Sequence, residues 1–180
     1  MRIVLRPDIE SPVPGALCVG TADGQPLSYV GRVPHIGTEP VEHAEIARAL
    51  ADAVDEAASA VFGGEWSTDL ARVTALNRRT VTHDRIMKYG LPPWALVLVG
   101  RAAADPCPRA RGFYLLGNAE LIDRGPWSAG TVMVQSAPFR DWHDAESHAR
   151  RSLERAFSDL DYARKERAKH RVSKDDLSNP

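Results

Sequence analysis

The chain has 180 residues, enough for one domain or for a small core with a second module packed on it. With 43% hydrophobic and 26% charged residues its composition is that of an ordinary globular protein. A formal net charge of -1 supplies no overall pull toward nucleic acid, so any such binding must rest on a local patch. Cys18 and Cys107 are too widely separated to suggest a metal or redox pair and read as buried small hydrophobes in a reducing cytosol. No secretory signal is visible, and the longest apolar run, Trp94 to Val99, is too short for a bilayer. The expectation is a soluble, cytoplasmic protein.

Along the chain, Arg2 to Arg6 is a short β-prone run ended by Pro7, and Pro12 and Pro14 break the next segment. Ala16 to Thr21 and Leu27 to Val33 read as two further strands. Asp23-Gly24 between them is a strong hairpin signal. At Thr38 the pattern changes. Thr38-Glu39-Pro40-Val41-Glu42 offers an N-cap, an early proline and an acidic first turn. Apolar residues then recur at helical spacing: Ile46, Ala47, Leu50, Val54, Ala57, Ala58 and Val61, until Gly63-Gly64 stops the helix.

A second, short helix is expected to open at Ser67-Thr68-Asp69 with a hydroxyl cap, and a third near Asn77. Gly90 and Pro92-Pro93 end the third and begin a fourth, running to about Ala104. Asp105-Pro106-Cys107-Pro108 is a break, and Arg109 to Ile122 is ambiguous because Gly112 and Gly117 weaken a helix the pattern otherwise allows. After Gly125-Pro126, the β-branched run Thr131 to Gln135 predicts a strand. Asp144 suits an N-cap for a long charged helix from Ala145 to about Lys169, whose Ala149, Leu153, Phe157 and Leu160 would form one buried stripe. From Ser173 onward the chain is polar and expected to fray.

The expected fold class is therefore α+β: a helical module combined with a small antiparallel sheet and a long C-terminal helix. The expected organisation is an N-terminal β-strand segment over 1–37, a helix-turn-helix module over 38–105, and a strand plus long helix over 106–180 serving dimerisation.

The stretch from Trp66 to Arg85 carries the chemistry. Two helices crossing steeply need a small residue where their axes meet, and Ala71 stands there. Leu70, Leu76 and Val81 complete a miniature core, with Ile86 or Met87 adding a further contact. The outward face of the second of these helices would show Asn77, Arg78, Arg79, Thr82 and His83. Arginine can pair with guanine through two bonds, asparagine with adenine, and threonine with a base or phosphate oxygen. Ser67, Arg72, Arg85 and Lys88 extend the candidate DNA-binding set around them.

Over roughly residues 51 to 104 the chain resembles the Cro/repressor-type (λ-repressor-like) helix-turn-helix family. Leu70-Ala71 is similar to that family's Leu-Ala in the first helix of the motif. Asn77-Arg78-Arg79-Thr80-Val81 resembles the opening of its recognition helix, and Leu91-Pro92-Pro93-Trp94 resembles the Val-Pro-Pro-Trp that begins the next helix in many phage and proteobacterial members. The chain departs from the pattern at Ala75, where glycine is usual, at Thr74, where leucine is common, and at Asp84, where an aromatic or leucine is common. The resemblance implies double-stranded DNA as partner and a phage, plasmid or mobile-element setting.

Local charge fits that reading. Arg72, Arg78, Arg79, Arg85, Lys88 and Arg101 stand against Asp69 and Asp84, whereas the preceding helix carries Glu39, Glu42, Glu45, Asp52, Asp55 and Glu56 against Arg48. The acidic helix would turn away from a duplex. A second basic stretch, Arg164 to Lys174, either grips flanking phosphate or is a solvated helix end suited to the dipole.

Between Asp141 and His148, the two histidines His143 and His148 lie five apart, a poor spacing for one helical face, so no metal is expected. His35 and His43 lack catalytic companions. Trp66 and Trp94 read as core staples. No glycine-rich phosphate loop, nucleophile elbow or paired-carboxylate signature is present, and neither an enzyme nor a cofactor is expected. The function expected is a transcriptional regulator, a repressor, acting as a homodimer on an inverted repeat. The alternatives are a component of a phage DNA-packaging or nucleoprotein assembly and a protein-interaction inhibitor module.

Overall fold

The computed structural model of the chain describes residues 1–124 and 138–176. Five strands pair antiparallel in sequence order: β1 (Ile3–Leu5), β2 (Leu17–Ala22), β3 (Gln25–Val30), β4 (Val33–Ile36) and β5 (Glu39–Pro40). Asp23 and Gly24 both take positive φ, 48° and 83°, the type I′ geometry that matches strand twist, and they close the β2–β3 hairpin as expected. The run Leu27 to Val33, expected as one strand, is instead two, because Gly31 turns the chain at φ 62° and pairs Val30 with Val33. Likewise Thr38-Glu39-Pro40 does not cap a helix. Glu39–Pro40 form β5, with His35 opposite Pro40 and Ile36 opposite Glu39.

The first helix, α1 (His43–Phe62), starts later than expected and is capped by Glu42, with Glu45 returning its carboxylate to the Glu42 N–H at 2.9 Å in a capping box. Glu39 and Glu42 therefore precede the helix. One face of α1 is buried through Ile46, Leu50, Val54, Ala58 and Val61, as the spacing predicts. There follow α2 (Trp66–Thr74), a single 3₁₀ turn (Arg78–Thr80), α3 (His83–Tyr89), α4 (Pro93–Ala103), α5 (Pro108–Arg124) and α6 (Pro138–Asp176). The fold is α+β.

Sheet and helices share one core. Ile3, Leu5, Val19, Leu27 and Tyr29 from the strands join Leu50 and Val54 of α1 and Leu96 and Val99 of α4 in a single buried cluster. Close packing decides two glycines. A Cβ at Gly20 would collide with the Val4 carbonyl oxygen and lie 2.8 Å from the Arg6 nitrogen at the end of β1, while on its other edge β2 bulges against β3 between Cys18 and Gly20. At Gly112 a Cβ would strike the Val61 carbonyl oxygen. Gly112 thus lets α5 press on the end of α1, and the helix that glycine seemed to weaken is continuous.

Tyr29 is 6% exposed, and burial pushes its phenol up to about 12 from 10.0. An acid whose folded value is raised contributes stability below its unfolded value, and that stability is lost as pH rises toward the folded one. Chemical denaturation should accordingly show the protein weakening between about pH 10 and 12, by roughly 2–3 kcal/mol at the upper end. Tyr29→Phe should flatten this part of the profile; an unchanged slope would exclude Tyr29 as its source.

Residues Met1–Ala119 form one compact unit and Glu120–Pro180 a second. The expected strand at Thr131 to Gln135 lies outside the described residues. In the second unit α6 starts at Pro138, well suited to a first helical turn, so Asp144 lies inside the helix and is not its cap. The stripe expected to be buried is not. Leu153, Phe157 and Leu160 are 48%, 72% and 48% exposed. Cys107 and Trp94 are exposed too, whereas Cys18 and Trp66 are buried as expected. Among the described residues no helix is long and apolar enough to cross a membrane.

Candidate nucleic-acid interface

Trp66 fixes the start of α2. Its indole N–H donates to the Asp55 carboxylate of α1 at 2.7 Å, and the ring is buried. The helix therefore begins one residue before Ser67, with Glu65 at the cap, so the hydroxyls of Ser67 and Thr68 do not serve as caps. At the other end Ala75 closes α2 in the left-handed conformation, φ 53° and ψ 22°, which costs a non-glycine residue about 1 kcal/mol. Leu70, Ala71, Val81 and Ile86 are buried together beneath the turn, and Leu76 packs at their edge, as the sequence leads one to expect. Met87 is exposed.

The expected third helix from Asn77 is divided. Asn77 caps the 3₁₀ turn Arg78–Thr80 by accepting the Arg79 N–H on its side-chain oxygen at 2.9 Å. Thr82, extended at φ -86° and ψ 150°, then starts α3 afresh. Three consecutive β-branched residues, Thr80, Val81 and Thr82, favour this break, since they lose side-chain freedom inside a helix. Val81 plugs into the core at the junction, and Ile86 anchors α3 one turn later. At the far end Gly90 ends α3. His43 Nε2, which must carry the proton because a carbonyl only accepts, donates to the Met87 oxygen at 3.0 Å and ties α3 to the start of α1.

The expected residues are brought together unevenly. Arg78, Arg79, Thr82, Arg85 and Lys88 are all exposed on the 3₁₀ turn and α3, within eleven consecutive positions, with Asp84 as the acid among them. Asn77 is beside them, but its oxygen already serves the cap, so one half of a paired adenine contact is in use. His83 turns its Nε2 to Asp52 of α1, 3.4 Å away. That contact corrects the expectation that the acidic helix faces elsewhere: Asp52 borders the basic surface. Arg72 is half-buried in the last turn of α2. Ser67 sits at the opposite end of α2 from the turn, between Glu65 and Asp69, in an acidic setting unsuited to phosphate.

Sequence reasoning missed Tyr89. Its ring, 62% exposed, has the Arg85 guanidinium 5.1 Å and the Lys88 ammonium 5.2 Å from its centroid. The signal was present, since positions 85 and 89 are one helical turn apart. The cluster presents two cations and a flat apolar face, a combination that suits a phosphate–sugar edge or an unstacked base. None of these groups is arranged as a nucleophile with its base. Comparison with known proteins leaves the chain on its own residues: no family model, no curated protein and no solved structure matches it.

Proposed function

We propose that the chain is a sequence-specific double-stranded DNA-binding transcriptional regulator, a repressor of the phage or mobile-element type, that acts as a homodimer on an inverted repeat. The observation carrying this reading is the concentration of exposed Arg78, Arg79, Arg85 and Lys88 on two short elements seated over one buried hinge of Leu70, Val81 and Ile86. A near-neutral chain has no general reason to gather its cations this way, and a phosphate backbone rewards it. The left-handed turn at Ala75 and the helix opened by Pro92-Pro93 support the family resemblance. Among the described residues one chain carries one such surface, and a two-fold pair would address two half-sites about one helical turn apart.

Fluorescence-anisotropy titration of a labelled duplex from upstream of the chain's own gene, at about 50 and 200 mM salt, tests it. Binding at nanomolar concentrations, at least ~10³-fold tighter than to a scrambled duplex and weakened by salt, is the expected outcome. Equal and weak binding to both duplexes would end the regulator reading.

A further inference from the structure

The exposed stripe of α6 has a period that a single chain does not use. Ala149, Leu153, Ala156, Leu160 and Ala163 follow one another at alternating steps of four and three, the spacing of the a and d seam of a coiled coil. With Leu153 and Leu160 at a, the three alanines fall at d, and Phe157 stands at the flanking e position. Glu146 and Arg167 occupy the a positions just before and just after, so the apolar seam is bounded at both ends. On a helix this polar overall, three large apolar side chains from 48% to 72% exposed along one line need a partner surface.

The charges beside the seam say which partner. The g positions are Ser152, Asp159 and Glu166, and the e positions are Arg150, Phe157 and Arg164: every charged g is acidic and every charged e is basic. In a parallel, in-register pair each g faces the following e of the other helix, which sets Asp159 against Arg164 twice. In an antiparallel pair g meets g and e meets e, acid against acid and arginine against arginine. The pattern is self-complementary in one orientation only.

We infer that α6 pairs in parallel and in register with α6 of a second copy of this chain, through Leu153, Phe157 and Leu160 with the alanines between them. The inference deepens the proposed function by giving the homodimer its interface and its direction. Its test needs no DNA: failure of the helix pair would remove this interface and leave DNA binding to be decided by its own titration, whereas failure of that titration would leave the pair standing. The alanines at d bring the two backbones close along the seam.

Analytical ultracentrifugation of the full chain should give twice the 19.7 kDa of one copy. Leu153→Glu with Leu160→Glu should give the single mass, with the thermal transition of the first unit unaltered. Asp159→Arg should weaken association about tenfold or less, and adding Arg164→Asp to the same chain should restore it. In a Cys107→Ser background, Ala149→Cys and Ala163→Cys should each form a disulfide with itself under mild oxidation. A single mass for the native chain overturns the inference, as does a dimer or larger ring indifferent to the two glutamates. Cross-linking only between the Ala149→Cys and Ala163→Cys chains when mixed shows an antiparallel pair and overturns it equally.

Discussion

Replacing Arg78 and Arg79 together by alanine is expected to weaken binding to the operator duplex by about 100-fold or more, at roughly 1–3 kcal/mol for each lost contact. The change should reach binding without reaching the fold. Both side chains are exposed, and the 3₁₀ turn that carries them is held by Asn77 and by backbone bonds, Thr80 N–H to the Asn77 oxygen at 2.8 Å and Val81 N–H to the Arg78 oxygen at 3.3 Å. The salt dependence separates two roles. If both arginines neutralise phosphates, the slope of log affinity against log salt should fall by about 1.8, and all sequences should suffer alike. If they read base edges, the slope should hold while discrimination against a mismatched site relaxes. Affinity within twofold of the native chain, measured by the same anisotropy titration, would remove this surface from the interface altogether.

Gly20→Val should strongly destabilise the first unit. A Cβ there meets main chain on every side, the Val4 oxygen, the Arg6 nitrogen at 2.8 Å and the Leu5 Cα at 2.9 Å, and main chain of a paired strand cannot step aside. The least costly response is to release β1. That would return Ile3 and Leu5, now 4% and 6% exposed, to water, at about 1.5–3 kcal/mol each. Urea denaturation should therefore show a loss of about 3–6 kcal/mol, a large share of the stability of a domain this size. A loss below about 1 kcal/mol would mean that β1 is not held against β2 as described.

Much of this architecture can be read from the residues alone, and the failures have physical causes. The Asp23-Gly24 turn and the apolar face of α1 are local signals that tertiary packing reinforces. The β3–β4 turn was hidden because Gly31-Arg32 sits inside a continuously β-prone run, with no second turn residue to announce it. Thr38-Glu39-Pro40 misleads for the opposite reason, since threonine, acid and proline serve a helix start and a hairpin edge equally well. At the candidate interface the residue types were legible but the conformation was not. Asn77 and Thr82 are both good caps, and two caps five residues apart imply two elements where helical spacing suggested one. The exposure of Trp94, Cys107 and the α6 stripe is set by what lies opposite each side chain, which spacing along one chain does not encode.

The way α4 lies on the sheet also constrains how the chain reaches its fold. Gly100 of α4 rests against Leu5 and Pro7, where an added Cβ would come within 3.2 Å of Leu5 and 2.9 Å of the Pro7 ring. The first strand is thus roofed by a helix that follows nearly the whole first unit later. Closing so long a loop comes before most of the core is gained, which makes for slow, all-or-none assembly. The strands and the helices over 38–105 contribute to one buried cluster, and a cut between residues 37 and 38 would leave two halves, each baring apolar surface the other covers. The surface that carries Arg78 and Arg79 rests on α1, and α1 and α4 rest in turn on the sheet, so a graft of the helices alone would bare the apolar face that the strands cover.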